Sequence, residues 1–205
     1  MQINVNKKIA ILSGIILALI VAVISMAFLT TDEDGYFGMD HSSMNGSSNS
    51  TSMGQLSGND VVFLQGMIPH HQQAVDMSNL ALTNSKDAEL IALATAIRDG
   101  QADEIIKMKE WLSQAGQSVE MGHSMGDFMG GMMTEADLST LKNASGSQFD
   151  LLWLKGMSAH HDGAIVMAQM IDDAKNPQIK KFGEAIVIAQ TAQNKQMAIM
   201  LKRIG

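Results

Sequence analysis

The chain of 205 residues contains no cysteine, so disulfides, thiolate nucleophiles and thiolate metal ligands are all excluded. It is also short of basic charge. Fourteen Lys and Arg stand against 21 Asp and Glu, a net charge of −7, which becomes −9 once Lys7 and Lys8 near the N-terminus are set aside. Such an acidic chain lacks the basic footprint that displaces counterions from nucleic acid, so no nucleic-acid partner is expected. Carboxylates are missing from one telling place as well. None of the paired histidines at 70, 71, 160 and 161 has a glutamate three residues before it, whereas di-iron bundles are built on Glu-x-x-His pairs. What is abundant is methionine, 18 residues in all, and the thioether is the soft sulfur ligand left to a protein without thiols.

Only one run is long and apolar enough to cross a bilayer. It extends from Ile9 to Leu29, is preceded by Lys7 and Lys8, and is followed by Asp32, Glu33 and Asp34. Residues 1–30 are therefore expected to target the chain to a membrane. Ser25-Met26-Ala27 has the small residues of a cleavage site, but the run exceeds the roughly 7–15 residues of most signal-peptide cores, which favours an uncleaved transmembrane anchor. With the positive end cytoplasmic, everything after Thr30 belongs on the extracytoplasmic side.

Residues 31–58, rich in Ser, Gly and Asn, read as a flexible linker, and residues 59–205 as one domain with a Met/Gly-rich break at 117–133. Within the domain, Asn59-Asp60 can cap a helix running to about Thr83, and Asn84-Ser85 a second running to Gly116. Thr134 to Asp137 looks like the start of a short helix. Gly146-Ser147 opens another to about Ala174, and Asn176-Pro177 supplies a cap followed by proline at the first helical position.

These helices carry an internal repeat. Phe63, Gly66, Met67, His70, His71, Ala74 and Met77 recur ninety residues later as Trp153, Gly156, Met157, His160, His161, Ala164 and Met167. On the second helix of each half, Ile97, Gln101, Glu104, Met108 and Trp111 correspond to Ile186, Gln190, Gln193, Met197 and Met200. Two duplicated helical hairpins, neither able to bury its apolar stripe alone, predict an all-α four-helix bundle.

The spacing 4, 3, 4, 3 of Phe63, Met67, His70, Ala74 and Met77 defines a seam facing the core, so the first histidine of each pair points inward. Met67 neighbours both His70 and His71 on the helix surface, as Met157 neighbours His160 and His161, and Met108 and Met197 can add sulfur from the facing helices. Uncharged imidazole and thioether donors suit a soft, low-charge ion, Cu(I) or Ag(I), better than Zn(II) or Mg(II). The expected metal ligands are Met67, His70, His71, Met77, Met108, Met157, His160, His161, Met167 and Met197. Gln101, Glu104, Gln190 and Gln193 are expected to orient the imidazoles. Outside the bundle, Met39, His41 and Met44 in the linker and Met121, His123 and Met125 in the break form auxiliary tracts for weak metal capture. A His-dependent site is expected to release its ion below about pH 6.5, the ordinary imidazole value.

The runs Met67 to Ala74 and Met157 to Ala164 resemble the twin histidine motifs of the DUF305 family, and Gln101 to Leu112 resembles its second-helix signature, over about residues 58–204. The resemblance implies a ferritin-like four-helix bundle, exported, with some members acting as periplasmic copper-binding proteins in copper resistance. Where the first half has Glu104 and Trp111, the second has Gln193 and Met200, so unequal affinities are expected. The reading is of a membrane-anchored, extracytoplasmic Cu(I)- and Ag(I)-binding protein that buffers or transfers copper and is not an enzyme. Its rivals are a non-metal helical interaction module and a ferritin-like metal oxidase. The copper-delivery partner and the oligomeric state, homo-oligomer included, stay open.

Overall fold

The computed structural model describes residues 55–121 and 130–205. Four long helices, α1 (Gly58–Asn84), α2 (Ala88–Gln114), α4 (Gly146–Ala168) and α5 (Pro177–Ile204), form two hairpins, and a short α3 (Glu135–Asn143) leads into the second. The hairpins meet chiefly through α1 and α4. Among the described residues there is no strand, and no helix is long and apolar enough to cross a membrane. The apolar run from Ile9 to Leu29 and the linker residues Met39, His41 and Met44 lie outside the described residues, as do His123 and Met125.

The helix starts follow from side chains that satisfy the first free amides. α1 begins two residues earlier than a cap at Asn59 would place it. Ser57 is the cap, its Oγ accepting from Asp60 N at 3.2 Å, while the Asp60 carboxylate accepts from Ser57 N at 2.7 Å. α2 is capped not by Asn84-Ser85 but by Asp87, whose carboxylate accepts from the amides of Glu89 and Leu90 and pairs with Arg203 at 2.7 Å. A carboxylate with three donors outcompetes a serine hydroxyl, and Ser85 instead accepts from Asp87 N. Thr134 and Asp137 form a capping box at α3, and Asn176 caps α5 with Pro177 behind it. α4 stops at Ala168 rather than Ala174 and tightens into a 3₁₀ turn, Gln169–Ile171. That turn lays Ile171 on the bare backbone of Gly183 in α5, where a Cβ would come within 2.8 Å of the Ile171 side chain.

The core divides into two apolar clusters. One includes Phe63, Met67, Met108, Trp111, Met167 and Phe182, with Phe182 edge-on to Trp111 at 5.1 Å. The other includes Met77, Leu93, Phe149, Trp153, Met157 and Met197. The repeat explains this division. Each cluster takes one copy of every duplicated methionine, 67, 167 and 108 against 157, 77 and 197, as two copies of a hairpin related by a pseudo-two-fold would supply them.

Trp153, fully buried, also donates its indole N–H to the Met77 carbonyl at 3.0 Å and so ties α4 to α1 across the hairpins. Trp153→Ala is expected to lower stability by about 3–5 kcal/mol, through a cavity and a lost tie. Urea unfolding measures this, and an unchanged midpoint would show that the hairpins do not depend on that contact.

Candidate metal centre

Between the two clusters lies a polar slab. It consists of His70 and His71 on α1, Gln101 and Glu104 on α2, His160 and His161 on α4, and Gln190 and Gln193 on α5, none more than 9 % exposed. All four histidines are fully buried, not only the first of each pair. Consecutive helical residues point about 100° apart, so the two members of a pair serve different neighbours. His71 turns to α2 in its own hairpin, with Nε2 2.7 Å from Glu104 Oε2, and His161 turns likewise to Gln193 Oε1 of α5 at 2.7 Å. His70 and His160 face each other across the hairpins, their ring centroids 3.8 Å apart and their planes 41° apart. Of the four side chains expected to orient imidazoles, Glu104 and Gln193 lie within hydrogen-bond distance of one, and no such contact is made by Gln101.

The partners determine where the protons sit. His70 Nε2 lies 3.1 Å from the carbonyl oxygen of Gly130, so His70, His71 and His161 each present Nε2 to an oxygen acceptor. A neutral imidazole that donates from Nε2 must carry a bare lone pair on Nδ1, and none of these three Nδ1 atoms has a hydrogen-bond partner. His160 lies near the His70 backbone carbonyl, yet neither of its ring nitrogens makes a hydrogen bond of ordinary geometry. Gln101, with both amide atoms, and Gln190 Oε1 are also without partners, which brings the slab to eight unpaired buried nitrogen and oxygen atoms. Each such atom costs about 1–3 kcal/mol unless something else satisfies it.

Burial disfavours the charged form of His70, His160 and His161. It lowers the pKa of His70 to about 4, with repulsion from His71 adding to the effect, and that of His161 to about 3 against the opposing hydrogen bond from Gln193. His160 is pushed down as well, first by burial and then by His70. The free-imidazole value of about 6.5 is therefore not the one these buried rings take. His70 remains a neutral donor until the pH approaches 4.

The sulfur atoms flank the slab. Met67, Met108 and Met167 lie on one side and Met77, Met157 and Met197 on the other, all at most 1 % exposed. Among the described residues no three His, Asp or Glu side chains are placed to hold one ion.

The break between the halves adds residues that the repeat did not single out. Gly130 and Gly131 cross directly over α4, where a Cβ on Gly163 would fall 1.8 Å from the Gly130 oxygen, and one on Gly131 (φ +81°) 2.2 Å from that of Ala159. Gln73 then clasps Met133 by both backbone groups, at 3.0 and 2.7 Å, and the Met133 sulfur packs over Gly156 beside the Met77 methyl. The signal for this lay in the two glycines at 156 and 163, which mark close approach. Of the expected auxiliary residues, Met121 is described, partly buried at the end of α2's trailing segment.

Three imidazoles with lowered pKa values make stability pH-dependent. The unfolded chain takes up protons near pH 6.5 while the folded one does not, so stability is full above about 6.5 and falls as the pH drops, until the folded rings titrate. The loss should reach about 1.4 kcal/mol per pH unit for each histidine. Urea midpoints between pH 7 and 5 measure it, and a flat profile would mean that the rings are charged or solvated in the folded protein.

Residues 60–201 match the family model described as "Domain of unknown function (DUF305)". Among solved structures, a DUF305 secreted protein from Streptomyces coelicolor is 30% identical with a TM-score of 0.68, covering 72% of this chain and 92% of that one. CopM in its Cu(I)-bound form is 30% identical with a TM-score of 0.60, covering 70% and 96%, and CopM in an Ag-bound form matches at 29%, 0.58, 70% and 96%. A curated relative, uncharacterized protein L153 of Acanthamoeba polyphaga mimivirus, is 40% identical over 55 residues, which are 27% of this chain and only 36% of that protein's length. On the family match and the shared bundle, this chain belongs to the DUF305 family.

Proposed function

We propose that the bundle binds monovalent soft ions, Cu(I) and Ag(I), through its buried imidazoles and thioethers, and that it buffers or hands on copper without a catalytic cycle. One observation carries this reading. Three buried imidazoles have Nε2 committed to oxygen and Nδ1 bare, inside a slab flanked on both sides by methionine sulfur. Metal-ligating histidines ordinarily have their second nitrogen committed in just this way, to a carboxylate or a backbone carbonyl. An uncharged N and S donor set favours a soft monovalent ion, and a divalent ion would leave twice the uncompensated charge in an apolar core. CopM, alike in fold over most of its length, has been solved with Cu(I), with Cu(II) and with silver bound, which supports copper and silver as the cargo here.

The proposal keeps the bundle tethered to a membrane through residues 1–30 on the extracytoplasmic side, where the Met/His tracts at 39–44 and 121–125 would capture ions first. A non-metal helical module is the second reading. What favours it is that all six duplicated methionines are packed within apolar clusters, as plain core methionines would be.

Competition against a chromophoric cuprous chelator separates the two. The wild-type protein should withdraw Cu(I), and Met67→Leu with Met157→Leu, which conserves volume, should weaken binding at least about tenfold, or ~1.4 kcal/mol. Chelator left fully loaded by the wild type, or equal competition by the double variant, would favour the non-metal module.

A further inference from the structure

The two halves of the bundle are copies, yet the backbone between them touches only one of the two facing histidines. His70 Nε2 has the Gly130 carbonyl at 3.1 Å, whereas both nitrogens of its counterpart His160 are without a hydrogen-bond partner. The residues that seat this carbonyl occupy the same repeat position in the two halves. Position 73 is glutamine, and its amide holds Met133 through two hydrogen bonds of 3.0 and 2.7 Å. The equivalent position, ninety residues on, is Gly163, where a side chain would collide with the Gly130 oxygen at 1.8 Å and its carbonyl carbon at 2.5 Å. Both colliding atoms are backbone, so no rotamer change would relieve the clash. The repeat thus departs from itself at the place where Gly130–Met133 lands, on one half to clasp the strap and on the other to make room for it.

We propose that the strap Gly130–Met133 is a positioning element that makes the two facing histidines unequal: seated by Gln73 and Gly163, the Gly130 carbonyl commits His70 to the Nε2–H tautomer and so presets it as an Nδ1 ligand, while His160 stays uncommitted. A preset donor binds without first choosing a tautomer or losing a ring orientation, so His70 contributes more to affinity than His160 does. Gln73 and Gly163 act on the ion through His70 and do not touch it. The inference rests on the metal reading only for its effect on affinity, since the tautomer is a property of the metal-free protein.

The experiment is nitrogen-15 NMR of the histidine rings in the metal-free full-length protein, followed by Ag(I) titration. Wild type should show His70 as a single Nε2–H tautomer, and Gly163→Ala should convert it to a mixture. In Ag(I) titrations His70→Gln should cost about tenfold more affinity than His160→Gln, and that difference should vanish when Gly163→Ala is added, as a double-mutant cycle requires for coupled groups. If Gly163→Ala does not fold, Gln73→Ala, which unclasps Met133 without adding bulk, should shift the His70 tautomer in the same direction. A mixed or Nδ1–H His70 in the wild type, a tautomer unmoved by both variants, or equal costs of the two histidine substitutions would overturn the proposal. Absence of Ag(I) binding by wild type alongside a fixed His70 tautomer would instead overturn the metal reading and leave the strap's effect on the ring standing.

Discussion

The structure depends on one unusual constraint, the burial of eight polar side chains across the middle of a helical bundle. Apolar clusters above and below supply the folding free energy, and the slab between them draws on it. Only part of the slab's hydrogen-bonding capacity is met within the chain. His71 and Glu104, His161 and Gln193, and His70 and the Gly130 carbonyl are the pairs that are satisfied. The remaining ring nitrogens, both amide atoms of Gln101 and the Gln190 Oε1 are unpaired and shielded from solvent. A bundle selected for stability alone would fill those positions with leucine. Histidine and glutamine there are a standing cost, which only water or a ligand meeting those atoms would offset.

Duplication is what makes the slab continuous. Because the hairpins pack about a pseudo-two-fold, His70 meets His160 at the centre, and each methionine triad draws on both repeats. Low-coordinate soft ions suit such a place, since a few neutral donors suffice for them and the protein need not bring carboxylates into its core. The departures from symmetry, Glu104 against Gln193 and the strap on the His70 side only, give the histidines of the two halves different polar partners.

Much of this was legible in the sequence. The hairpins, the bundle and the inward direction of His70 and His160 follow from a 3.6-residue period read twice, and a period survives small errors at the helix ends. The caps were less legible. Asp87 and Ser57 took the roles assigned to their neighbours because a cap is chosen by the geometry of two or three amides, and several Ser, Asn and Asp residues within reach could have served. Burial of His71 and His161 was not foreseen, because a seam defined by one residue per turn says nothing about the residue beside it. The strap lay beyond periodic reasoning altogether. Gly130 reaches His70 across sixty residues through a turn with no helical pattern, and its traces in the sequence are the glycines at 131, 156 and 163. Burial likewise moved the imidazole pKa values well below their free range, which residue spacing alone does not report.

The account is tested most directly by an X-ray absorption spectrum of the Cu(I)-loaded protein, because sulfur and nitrogen scatterers are separable at the copper edge. Mixed coordination, with imidazole nitrogen and thioether sulfur around the same ion, is the predicted result. A first shell of nitrogen and oxygen alone, or of sulfur alone, would contradict it, for then the buried histidines and the flanking methionines would not act on a common ion.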